Sequence, residues 1–113
     1  NKKSPIITGD GCQGRDFIYV EDVVSAVMLS LKKKTKDKVF NIGAEKIISI
    51  DRLFYEIKNI LNADIEPRYI NKRKGDVKEI YLSVIRAKEQ LGWKPETDLQ
   101  SGLKATIKWF KEK

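Results

Sequence analysis

The chain has 113 residues and a mass of 13.0 kDa, which leaves room for one domain with a single modest core. Apolar residues make up 41% of it, ordinary for a globular chain, and no apolar run approaches the roughly 18 residues of a membrane-spanning helix. Cys12 is the one cysteine, which excludes an internal disulfide, and the lack of histidine excludes imidazole proton shuttling and histidine-based metal sites.

The formal charge is +7, from 23 Lys and Arg against 16 Asp and Glu, and 18 of the 23 are lysines. Such a surplus can mark a nucleic-acid face. The dense basic runs are Lys32 to Lys38, "KKKTKDK", and Asn71 to Asp76, "NKRKGD". The first reads rather as a solvated helix end and loop. The opening "NKKSPIITGDG" has no apolar signal core, and with the lone cysteine a reducing cytoplasm is expected.

In chain order, residues 4 to 8, "SPIIT", read as a short strand, and residues 15 to 20, "RDFIYV", as a second. From Glu21 to about Lys33, Val23, Val24, Val27, Met28 and Leu31 recur at helical spacing, with lysines at the C-terminal end where the helix dipole favours them. Lys38 to Gly43, "KVFNIG", reads as a strand stopped by glycine. Ser49 then opens a helix with the stripe Leu53, Phe54, Ile57, Ile60 and Leu61. Asp64 to Ile70, "DIEPRYI", is extended, and Pro67 suggests an edge. Ser83 is the expected N-cap of a short helix ending at Gly92. Thr97 and Gln100 have capping-box spacing for a last helix with Leu99, Leu103, Ile107 and Phe110 on one side. The fold class expected is α/β: a small mixed domain of about four helices and three to four short strands.

Three polar segments stand out. In Asp10 to Val24, "DGCQGRDFIYVEDVV", Arg15 follows a glycine-rich turn and leads into apolar chain. There its planar fork can meet an anion bidentately, or it can pair with Asp16 or Glu21 on the surface. In "RKGDV", Arg73 and Asp76 flank Gly75. They can divide a nucleotide between diphosphate and ribose hydroxyls, or form an ordinary charged loop. In "FNIG", Gly43 either lets backbone approach a ligand or ends a strand.

The ordered set "GDGCQGRDFIYVEDVVSAVMLSL", "VFNIG", "RKGDV" and "RAKEQLGWKPETDLQSGLKATIKWF" resembles the C-terminal part of the extended short-chain dehydrogenase/reductases. In particular it resembles the NAD-dependent nucleotide-sugar epimerases and dehydratases of the UDP-glucose 4-epimerase type. The resemblance covers nearly the whole chain. It implies that residues 1–113 are the NDP-sugar-binding part of a Rossmann-type enzyme whose N-terminal domain holds NAD. No glycine-rich dinucleotide fingerprint occurs here. The family's Tyr-x-x-x-Lys pair is also missing, since Tyr19, Tyr55, Tyr69 and Tyr81 are followed at that spacing by Val23, Asn59, Arg73 and Ile85. This stretch is therefore expected to be inactive alone, with no catalytic residue, metal or bound NAD of its own.

Carried over position by position, the resemblance gives Arg15 and Arg73 to the nucleotide diphosphate, Asp76 to the ribose and Gln13 to the substrate-side turn. Ile7 and Thr8 would lie beside the base, Ser83 would cap a helix, and Trp93 would anchor packing. The family reaction begins with hydride transfer from the sugar to NAD. An epimerase returns the hydride to the other face, while a 4,6-dehydratase first loses water. The resemblance favours an epimerase acting on a UDP- or dTDP-hexose, with the dehydratase as alternative. It also implies a homodimer and no nucleic-acid or membrane partner. From another class, a small basic nucleic-acid-binding module would use "KKKTKDK" and "NKRK" and show a steep salt dependence.

Overall fold

The computed structural model describes residues 3–113. Its elements in order are β1 (Ile6–Thr8), β2 (Gly14–Arg15), α1 (Val20–Lys32), β3 (Ile48–Ser49), α2 (Ile50–Leu61), β4 (Arg68–Ile70), α3 (Ile85–Leu91) and α4 (Leu99–Lys111). Four helices and short strands make the mixed α/β class that the sequence patterns predict. The described residues group into two compact units. One comprises residues up to Arg15 together with Ile47–Ile80, and the other comprises Asp16–Lys46 and Tyr81–Lys113.

In the first unit β1 pairs in parallel with β4, Ile7 opposite Tyr69, and β2 pairs antiparallel with β3, Gly14 opposite Ser49. Ile7 and Ile48 are its buried apolar side chains. Among the described residues β4 pairs only with β1, the edge position that Pro67 suggests. Ser49 caps α2 as expected: its hydroxyl oxygen accepts the Arg52 amide at 3.1 Å. The helix ends at Asn62 in the left-handed conformation. Glu79 bridges to Gly14, with the Gly14 amide donating to the Lys78 carbonyl at 2.7 Å and the Ile80 amide to the Gly14 carbonyl at 3.2 Å. The loop from Asn71 to Ile80 is therefore tied at both ends, by β4 and by β2.

In the second unit Ala26, Val84, Ala87, Leu91 and Trp93 form the buried cluster, with Ile18, Leu29, Phe40 and Ile42 packed against it. Trp93 is 2% exposed, and its indole N–H donates to the Asp22 carbonyl oxygen at 2.9 Å, the packing role expected of it. Asp22 is buried and charged. Its carboxylate accepts the Glu96 and Thr97 amides at 3.3 and 3.1 Å and the Thr97 hydroxyl at 3.5 Å. That arrangement satisfies a carboxylate that would otherwise be costly to bury.

Several local expectations change. The strand predicted over residues 15–20 stops at Arg15. The Asp16 carboxylate instead accepts the Ala44 and Glu45 amides at 2.7 and 3.1 Å, and the Tyr19 carbonyl accepts the Asp22 amide at 3.1 Å to start α1. Residues 38–43 keep the alternation of a strand, with Phe40 and Ile42 inward and Val39 outward. No ladder partner lies beside them among the described residues, so they stay irregular. Ser83 is not the cap of α3. Val84 occupies that position without a side-chain bond, while Gly92 ends the helix in the left-handed region at φ +67° as expected. The last helix starts one residue late. Asp98 caps it by accepting the Ser101 amide at 2.7 Å, because Thr97 is engaged by Asp22. Of its expected stripe, Leu99, Leu103 and Ile107 are half-buried and Phe110 is exposed. On α1 the expected stripe is largely uncovered: Val24, Val27, Met28 and Leu31 are exposed, and Ala26 faces the core.

Candidate functional site

The turn between β1 and β2 is built around two glycines with positive φ, Gly9 at +87° and Gly11 at +78°. The Cys12 amide donates to the Asp10 carboxylate at 2.8 Å, a local bond of the kind aspartate makes in turns. Gln13 follows, and its amide nitrogen donates to the Thr8 carbonyl at 2.6 Å. That bond leaves the amide oxygen of Gln13 as an acceptor. Across from this turn lies the loop after β4, in which the Asp76 amide donates to the Arg73 carbonyl at 3.2 Å. Gly75, at φ +86°, has open space where a side chain would be.

Between the turn and the loop is a small cleft of about 130 Å³, walled by Asp10, Gln13, Lys72, Asp76 and Lys78 among others. Two of the expected residues, Gln13 and Asp76, thus share one cavity. Arg15 and Arg73 do not line it. The half-buried Arg15 donates from Nη1 to the carbonyls of Gly14 and Val77, both at 2.8 Å. No ion pair joins it to Asp16 or Glu21 among the described residues. Anchoring one nitrogen on two carbonyls fixes the plane of the guanidinium and leaves further N–H donors for an oxyanion. Arg73 is exposed on the tied loop. Ile7 is buried in β1 and Thr8 half-buried beside it.

Lys72, Lys78 and Asp10 escaped the sequence reading as site residues. The two lysines fall within or beside the "NKRKGD" run, so charge alone marked them, and only the fold brings them to Gln13. Two other groups of the same unit were not foreseen either. The Tyr69 hydroxyl donates to Asp51 Oδ1 at 2.7 Å, and that bond, followed by burial and the nearby negative charge, pushes the Tyr69 hydroxyl up to about 12. Glu66 accepts from Tyr55 at 3.2 Å and from the Lys58 ammonium. Those bonds hold the Glu66 carboxyl below its ordinary range and raise both Lys58 and Tyr55.

A family model described as GDP-mannose 4,6 dehydratase matches residues 1–106. The chain belongs to this family. Its members here are NAD-dependent extended short-chain dehydrogenase/reductases, as the motif order implied. The chain is 45% identical to a putative UDP-glucose 4-epimerase of Methanocaldococcus jannaschii, over 96% of this chain and 35% of that protein. A crystal structure of UDP-glucose 4-epimerase with UDP-glucose from Thermotoga maritima is 41% identical, with a TM-score of 0.92 over 98% of this chain and 36% of that one. UDP-glucuronic acid 4-epimerase from Bacillus cereus, in complex with UDP-glucuronic acid and NAD, is 26% identical, with a TM-score of 0.90 over 98% of this chain and 36% of that one. The chain spans about a third of the length of the curated relatives it matches.

Three of the glycines leave no room for a dinucleotide to approach the backbone. A side chain on Gly11 would stand 1.9 Å from Asp51 Oδ1, one on Gly14 would stand 2.2 Å from Ile47, and one on Gly43 would stand 2.6 Å from the Asp16 carboxylate. In each case the space that glycine frees is filled by the chain's own side chain. Neither two-stranded sheet carries the strand–glycine turn–helix crossover that seats a pyrophosphate. No step of NAD chemistry is therefore assigned to these residues. Among them, no helix is long and apolar enough to cross a membrane.

Proposed function

We propose that the chain is the nucleotide-sugar-binding domain of an NAD-dependent sugar epimerase of the UDP-glucose 4-epimerase type. Arg15 and Arg73 meet the diphosphate, Asp76 the ribose, and Gln13 the substrate from the turn between β1 and β2. The observation that carries this reading is the bond from Arg15 Nη1 to the Val77 carbonyl, which ties Arg15 to the loop bearing Arg73 and Asp76. The cleft shared by Gln13 and Asp76 supports the same pairing of turn and loop. Lys72 and Lys78 add positive charge around it, which suits a dianionic ligand.

In this reading the chain's own work is binding and orientation. A guanidinium held on backbone carbonyls has already lost the rotamer freedom it would otherwise lose on meeting a phosphate. Nucleotide binding energy, spent far from the reacting hexose, then sets the sugar's position relative to NAD. Hydride transfer belongs to an N-terminal Rossmann domain of the same protein, and NAD to that domain. The exposed face of α1, Val24, Val27, Met28 and Leu31, is the kind of apolar surface such a domain covers. A homodimer in the cytoplasm completes the proposal. The matching model's dehydratase description favours, as second reading, the same domain in an NDP-sugar 4,6-dehydratase.

The test is Arg15→Ala in the full-length, NAD-bound enzyme. One lost charge-assisted contact raises KM for the nucleotide sugar by about tenfold or more and lowers kcat far less. An unchanged KM removes Arg15 from the site.

A further inference from the structure

The N-terminal end of α2 holds the turn that carries Gln13. The Ile50 amide donates to the Gln13 carbonyl at 3.1 Å, and the Asp51 amide donates to the Gly11 carbonyl at 3.0 Å. The Asp51 carboxylate also lies directly over Gly11, in the space a side chain there would need. Its Oδ1 accepts the hydroxyl of Tyr69, on β4, at 2.7 Å. The next residue of that strand, Ile70, accepts the Gly9 amide on its carbonyl at 2.9 Å. One end of the turn is thus fastened to β4 and the other to α2, and the Asp51–Tyr69 bond joins the two anchors.

We propose that Asp51 and Tyr69 are positioning residues for nucleotide-sugar binding: their bond holds turn 9–13 in the shape that presents Gln13 against Asp76. The proposal rests on the cleft reading given under Proposed function. Neither residue touches the substrate. Removing the hydroxyl of Tyr69 leaves the wall residues in place but frees the turn, so ordering it again costs binding energy each time substrate enters. A turn that acts in binding alone puts the effect on KM and spares kcat.

The experiment measures KM and kcat for the nucleotide sugar in the full-length NAD-bound enzyme. Tyr69→Phe and Asp51→Ala each raise KM about fivefold, with kcat within about twofold of wild type. Tyr69→Phe adds little once Gln13→Ala is present, since both act through one turn. Asp98→Ala, which uncaps α4 and touches neither the turn nor its anchors, lowers the melting temperature and leaves KM alone. A wild-type KM in Tyr69→Phe sinks the proposal, as does full additivity with Gln13→Ala or an equal KM rise in Asp98→Ala. If Asp51→Ala fails to fold, Tyr69→Phe, which deletes one exposed hydroxyl, decides alone. Gln13→Ala and Asp76→Ala separate the two levels. A raised KM in both beside an unchanged one in Tyr69→Phe overturns only the clamp, and an unchanged KM in both overturns the cleft reading and the clamp with it.

Discussion

The two compact units of this chain are stabilised by different means. The unit containing α1, α3 and α4 is organised around apolar burial: Val84 and Ala87 are fully enclosed, and Trp93 plugs the space between them and α1. Among its described apolar residues, the unit containing the four strands and α2 buries only Ile7 and Ile48. Its shape depends on backbone ladders two or three residues long, on tight glycines and on polar clamps. The contrast suits a division of labour in which one unit supplies stability and the other holds the loop and turn of the proposed site in register.

Three substitutions sharpen or break that contrast. Trp93→Ala is expected to have the largest effect, on the order of 4 kcal/mol in denaturant unfolding, because a buried indole and its bond to Asp22 are lost together. A loss below that of any single glycine substitution in the strand-bearing unit would refute the assignment of stability to the apolar cluster. Next come two glycines of similar φ. Gly11→Ala is expected to cost about 2 kcal/mol or more, from left-handed strain and collision with Asp51 together, while Gly75→Ala costs about 1 kcal/mol from strain alone. Equal costs in thermal unfolding would show that the Asp51 clamp does not constrain the turn.

The smallest effect is an alkaline one. Tyr69 has its hydroxyl raised from 10.0 to about 12 by Asp51, by burial and by the neighbouring Tyr55 and Glu66. Its neutral form is therefore favoured in the folded state. The contribution is complete below pH 10 and fades as pH rises from there through about 12. Tyrosinate absorbance should show one tyrosine ionising near 12, and Asp51→Ala should bring that step back toward 10. A Tyr69 that titrates normally in the wild type would contradict the clamp.

Much of this was legible in the amino-acid order. The helices announce themselves by apolar spacing and by end signals such as Ser49 and Gly92, because a helix closes its bonds within four residues. The family signature is likewise a property of order and spacing alone. Strand boundaries were less legible. Phe17 to Tyr19 and Lys38 to Gly43 have strand composition, yet a ladder needs a neighbour, and composition says nothing of one. Capping at Thr97 failed for a related reason: its amide and hydroxyl go to Asp22, far earlier in the chain.

The sequence by itself determined the α/β class, the helices, the family, and Arg15, Gln13, Arg73 and Asp76 as the residues worth testing. The class and the helices follow from local spacing, and the family and the residues it marks follow from resemblance in the order of motifs. Only the tertiary structure decided that Gln13 and Asp76 share a cleft, that Arg15 leans on the Val77 carbonyl, and that Asp51 occupies the space over Gly11. Those contacts join residues separated by long stretches of chain. Their geometry depends on ångström-scale packing, which no pattern of neighbouring residues encodes.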